Sequence, residues 1–170
     1  MNVERLEQLN QSNALPAAVQ RRIAEVLSED PEYAADELVE LCEAILSQLA
    51  AIATAAYIGQ ERQKEMFNDI ILQWFSSPGH QNAGPMYRWS AHFIKRVTTK
   101  EADQIRGLFW EEDGETLRDT VNRLSSIRNK VMHGFFVLPP EENLRIAEQI
   151  ADVLEEMVRT DVFNVLQKAS

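Results

Sequence analysis

Residues 32–57, EYAADELVELCEAILSQLAAIATAAY, decide the fold. Leu38, Leu41, Cys42, Ile45, Leu49, Ile52, Ala53 and Ala56 recur at helical spacing rather than with the two-residue alternation of a strand. The spacing predicts one long helix, and its many alanines allow a neighbour to approach closely. Asp30 and Pro31 restart the chain just before it.

Working outward, short helices are predicted at about residues 3–11 and 16–28. Beyond the long helix come helices at about 61–75, 86–97, 101–110 and 115–133. The segment 76–85, SSPGHQNAGP, is dense in turn formers and reads as the clearest loop. A connector at 134–140 leads into a long closing helix at about 140–167. Its inner side carries Leu144, Ala147, Ile150, Val153, Leu154, Met157 and Val158. No stretch reads as a strand, and no repeat, low-complexity tract or domain linker is present. The expectation is a single all-α domain over residues 1–170, with 1–30 as an N-terminal helical extension and 32–168 as the bundle core.

At 170 residues and 45% hydrophobic, the chain can bury a core without covalent staples. Its one cysteine, Cys42, excludes a disulfide framework and a cysteine-rich zinc site, and suits a reducing compartment. Residues 1–13 are polar and charged, unlike a secretory leader. The apolar run at 45–58 is broken by Ser47, Gln48 and Thr54 and falls short of the roughly 20 residues that a bilayer span needs. A cytoplasmic location without a membrane partner follows as the expectation.

A net charge of −10 argues against a general nucleic-acid binder. The distribution is uneven, however. Residues 25–43 hold eight acids and no base, whereas 118–133 hold Arg118, Arg123, Arg128 and Lys130 against Asp119 alone. Such a basic island suits one short phosphate segment rather than a long electrostatic track.

Within that island stands RNKVMH, residues 128–133. Leu117, Val121, Leu124, Val131 and Phe135 trace one apolar face, and the position completing the series is Arg128. An unpaired buried charge costs several kcal/mol, so Arg128 is expected to meet a carboxylate, line a cleft or bind an anion. Arg118, Asn122, Ser125, Asn129 and His133 form a polar face on which Asn129 and His133 are i, i+4 neighbours. Arg128 and His133 point roughly 140° apart on an ideal helix. They converge only if the helix unwinds at Gly134, the arginine wraps around, or a second copy supplies the missing half.

This string resembles the Rx4–6H motif of the HEPN superfamily, small all-α domains in which long helices flank the motif. Arg128, the polar Asn129, the spacer Lys130-Val131-Met132 and His133 meet the pattern, with Gly134 after it. The lead-in LSSI at 124–127 is similar, as are the alanine-rich helix before it and the helix from Pro140 onward. The resemblance covers about residues 32–168. Many members also carry a glutamate and a base four apart on the first long helix; here Glu43 is followed at that spacing by Ser47.

The resemblance implies a HEPN-like bundle of long antiparallel helices with a C-terminal closing helix. It also implies a homodimer whose motifs face each other across a twofold axis. The implied activity is metal-independent endoribonuclease cleavage of RNA in toxin–antitoxin or antiviral defence. No cofactor and no metal are expected, and an antitoxin or a larger defence complex is a further expected partner. The alternative is a catalytically inactive HEPN-like module that dimerises or senses a ligand for a larger defence protein.

Elementary chemistry agrees with the implied activity. Attack by a 2′-hydroxyl needs one group to take its proton, one to protonate the leaving 5′-oxygen, and a cation over the phosphate. Histidine, with an ordinary pKa of about 6.5, serves either proton role near neutrality, and a symmetric dimer supplies two. His133 is therefore assigned to proton transfer, Arg128 to phosphate charge, and Asn129 to orienting His133 or the phosphate. Lys130 and Arg123 are secondary candidates for RNA backbone contacts.

Plainer readings stand beside these. A histidine before a glycine also suits a helix C-terminus, and Arg128 also suits a structural pair with Glu43 or Glu148. His80 and His92 lack ligand spacing, Ser125 and Ser126 lack a third residue to order a nucleophile, and Trp74, Trp89 and Trp110 read as core or interface rather than as base-stacking platforms.

Overall fold

The computed structural model describes residues 4–28, 34–59, 64–76, 83–97, 102–111, 114–115, 117–132 and 138–169. The fold is all-α. Among the described residues there are nine helices: α1 (Glu4–Gln11), α2 (Ala17–Ser28), α3 (Ala34–Ile58), α4 (Glu65–Ser76), α5 (Ala83–Ile94), α6 (Ala102–Phe109), α7 (Arg118–Met132), α8 (Pro140–Arg159) and α9 (Val162–Ala169).

α3 is the axis of the bundle, about 37 Å long at 1.5 Å per residue, and it packs against α2, α5, α6, α7, α8 and α9. Buried Ala50 and Ala53 let α5 lie close to it. There the Ser90 hydroxyl sits 3.2 Å from the Ala50 carbonyl oxygen and 3.4 Å from the Thr54 hydroxyl. The first turn of α3 leaves backbone N–H groups without helical partners. Asn143 of α8, 2% exposed, answers one of them by accepting the Ala35 N–H at 3.0 Å.

By length and composition α3 as a whole is apolar enough to cross a membrane, unlike the shorter 45–58 run. In the bundle its Leu38, Val39, Cys42, Leu46 and Leu49 are enclosed by neighbouring helices. Burial, with Glu43 beside it, pushes the Cys42 thiol far above the usual range, so the thiol is inert. α1 and α2 join the same core through Leu6, Leu9, Val19, Ile23 and Val26.

An aromatic cluster fixes α4 and α5 at one end of α3. Phe93 lies 5.2 Å from Tyr57, 5.0 Å from Phe67 and 5.6 Å from Trp74, between ring centroids. The Tyr57 hydroxyl accepts the Lys64 N–H at 2.6 Å and so holds the entry to α4.

Three expectations are corrected. The closing helix is two helices: α8 stops at Arg159, and Asp161 takes a left-handed φ of 62°. The Thr160 hydroxyl turns back onto the Glu156 carbonyl at 2.9 Å, and Asn164 donates to the Asp161 carboxylate. α9 then lays Val162 and Phe163 into the core. On α8 itself Ile146 and Ala151 are buried, while Leu144 and Val158 are only half-buried.

The second correction concerns residues 110–115, expected to be helical at both ends. Trp110–Glu111 and Gly114–Glu115 form a two-residue antiparallel ladder, and α7 starts only at Arg118. Gly114 has a φ of 136°, open to glycine alone among the common residues, so Gly114 is the legible turn signal. Third, α5 begins at Ala83, within the expected loop. Residues 77–82 of that loop lie outside the described residues.

Candidate functional site

α7 carries the motif. Its buried face runs through Leu117, Val121, Leu124 and Ile127, each at most 2% exposed, and continues to half-buried Val131. The apolar series is therefore continued by Ile127, one residue before the position expected to complete it. Arg128 does not replace a core leucine; it sits beside the stripe, on the side facing α3.

There it meets Glu43. Arg128 Nε lies 2.9 Å from Glu43 Oε1, with the side chains 23% and 24% exposed. Nε is buried and its N–H is not aimed at the oxygen, so charge rather than a directed hydrogen bond holds the pair. Of the two carboxylates named from the sequence, Glu43 is the partner, and Glu148 is exposed on α8. The base that Glu43 meets thus comes from α7 instead of from one turn along its own helix.

The other candidates lie differently. Asn129 and Lys130 are exposed on the last turns of α7, and Lys130 meets no carboxylate among the described residues. Arg123 lies 3.5 Å from Asp152 of α8, whose carboxylate also holds Arg5 of α1 at 2.7 Å. This cluster ties α1, α7 and α8 together and offsets the charge of Arg123. The basic island read from the sequence is therefore partly neutralised by acids distant in the chain. His133, Gly134 and Phe135 lie outside the described residues.

A double-mutant cycle measures the pair. Glu43→Gln and Arg128→Ala are each expected to destabilise the fold by about 1–2 kcal/mol, because each leaves a half-buried charge uncompensated. The double variant should cost about 1 kcal/mol less than the sum. Urea denaturation checks this; strict additivity would mean that the contact carries no energy.

Among the described residues no three of His, Cys, Asp and Glu gather to hold a metal ion. A groove of ≈ 290 Å³ lies between α2, α3 and α9, lined by Val19, Leu41, Ile45, Phe163 and Leu166 among others. No charged side chain lines it, and Glu43 takes no part in it.

Sequence reasoning missed one contact at the edge of the site. Arg88 of α5 donates to Asn122 on the polar face of α7. The available signal was that residues 81–100 contain bases and no acid at all. No family model, no curated protein and no solved structure matches the chain.

Proposed function

We propose that the chain is a HEPN-type endoribonuclease that cleaves RNA without a metal, at a composite site formed by two copies. One observation carries the reading: RNKVMH begins on the last turns of α7, with Arg128 fixed beside α3 and Asn129 and Lys130 turned outward. In this reading one His133 takes the 2′-hydroxyl proton and the partner copy's His133 protonates the leaving 5′-oxygen. The new P–O bond to the 2′-oxygen forms as the bond to the 5′-oxygen breaks, leaving a 2′,3′-cyclic phosphate. Arg128 stabilises the phosphorane charge and Asn129 orients the imidazole or the phosphate. The protein acts in the cytoplasm, in toxin–antitoxin pairing or antiviral defence, restrained by an antitoxin or a larger complex.

A second reading rests on the Glu43–Arg128 pair itself. An arginine already met by a carboxylate suits a catalytically inactive dimerisation or ligand-sensing module. Incubating RNA with the purified protein in chelator, beside sedimentation at micromolar concentration, separates the two. The nuclease reading expects cyclic-phosphate ends and a dimer. Intact RNA or a monomeric protein would overturn it.

A further inference from the structure

The acid-free stretch 81–100 builds an unusual surface for a chain of net charge −10. On α5 and just beyond it, Arg88, His92, Lys95 and Arg96 are all exposed, and Trp89 is half-buried among them. Arg88 and His92 stand one helical turn apart, roughly 5.4 Å of rise, and Lys95 and Arg96 follow directly after the last residue of α5, Ile94. Among the described residues, seven other arginines each meet a carboxylate, whereas Arg88, Lys95 and Arg96, like Arg21 and Arg118, do not. Arg88 bonds the neutral Asn122, and Arg96 donates to the His92 carbonyl at 2.9 Å and lies 4.6 Å from the Phe67 ring centre. Lys95 Nζ stands 4.2 Å over the Trp110 ring.

The rings between the cations are held in place. Trp110 donates its indole N–H to the Ala91 carbonyl at 2.7 Å, and Trp89 packs on Phe67 at 6.2 Å and Phe93 at 6.4 Å. His92 lies between them, 6.0 Å from each indole. Cations interleaved with part-exposed rings suit a nucleic-acid strand, phosphates to Arg88, Lys95 and Arg96 and nucleobases to Trp89, His92 and Trp110. An acidic peptide would use the charges and leave the rings idle. In a duplex the base faces are already stacked on one another, so only a single strand can use both.

The geometry points to the outer face of α5, with Trp110, as a binding surface for single-stranded RNA. It leads through the Arg88–Asn122 contact onto the polar face of α7 that carries Asn129. The inference rests on the nuclease reading for its choice of RNA, whereas the binding itself needs no catalytic motif.

The test uses a fluorescein-labelled oligouridylate and the full chain carrying His133→Ala, so that bound RNA stays uncut. Adding Arg88→Gln, Lys95→Gln and Arg96→Gln together should weaken binding at least about tenfold, and the slope of log affinity against log salt should flatten by about 2. Tryptophan fluorescence should be quenched when RNA binds, with the quench reduced in Trp89→Phe and Trp110→Phe. This readout needs no charge substitution and covers the case in which the triple variant misfolds. The proposal is overturned if the folded triple variant binds within twofold of its parent. Unchanged tryptophan emission on RNA binding, or equally effective competition by oligoglutamate, would overturn it as well. Failure of the wild-type protein to cut RNA removes the nuclease reading and leaves these binding results standing.

Discussion

Replacing His133 with alanine is expected to slow RNA cleavage in chelator by about 10²–10⁴-fold, the usual contribution of a positioned acid–base group. Under the nuclease reading the effect should be the largest of any single substitution, because the proposed symmetric site would lose both of its imidazoles at once. Arg128→Ala is expected to lower the rate by about 10²–10³-fold, the cost of removing a group aimed at developing charge. Glu43→Gln separates the two duties of the arginine. It removes the structural partner while leaving the guanidinium in place, so stability falls while cleavage persists. Initial rates for the three variants, set beside their melting temperatures, check the assignment. Cleavage by His133→Ala at the wild-type rate would end the nuclease reading. If Arg128→Ala changes stability but not rate, the arginine is a strut and nothing more.

The largest stability effect should come from the aromatic cluster. Phe93 is fully buried and touches Tyr57, Phe67, Trp74 and Trp89. Phe93→Ala removes a whole ring from a site whose neighbours are themselves rigid, so the void cannot collapse. A loss of about 3–5 kcal/mol is expected, which corresponds to a melting temperature lower by about 6–20 °C for a chain of this size. Calorimetry checks it. A loss under about 1 kcal/mol would mean that these rings are not packed as a unit. Because Trp89 rests on Phe93, the same variant should also weaken the RNA binding proposed for the α5 face.

The helical class was legible because residues 32–57 keep one period over seven turns, and tertiary context had no competing pattern to exploit. What the sequence hid came from two physical sources. At Thr160-Asp161 the apolar rhythm resumes so soon after the break that α8 and α9 read as one helix, although a polar pair able to bond its own backbone marked the end. The ladder of Trp110–Glu111 with Gly114–Glu115 is too short to display alternation, leaving Gly114 as its single local sign. At the site, extending the apolar series from Leu124 by four residues to Arg128 sets the arginine inside the core, whereas the structure extends it by three to Ile127. The need of Arg128 for a carboxylate was nevertheless visible, since a guanidinium near an apolar stripe requires an answer. The choice between Glu43 and Glu148 was not, because it depends on how α3 and α8 flank α7. The roles of His133 and Asn129 rest on the motif and on the chemistry of RNA.

Glu43 rides midway along the most enclosed helix of the bundle, and its backbone has nowhere to go. Any rearrangement that releases the guanidinium can therefore come from side-chain torsions alone, a swing faster than helix motion and needing no hinge. In the proposed nuclease the carboxylate would work as a cleat: an incoming phosphodiester would compete with it for a single cation, and letting go would cost only the difference between two anions.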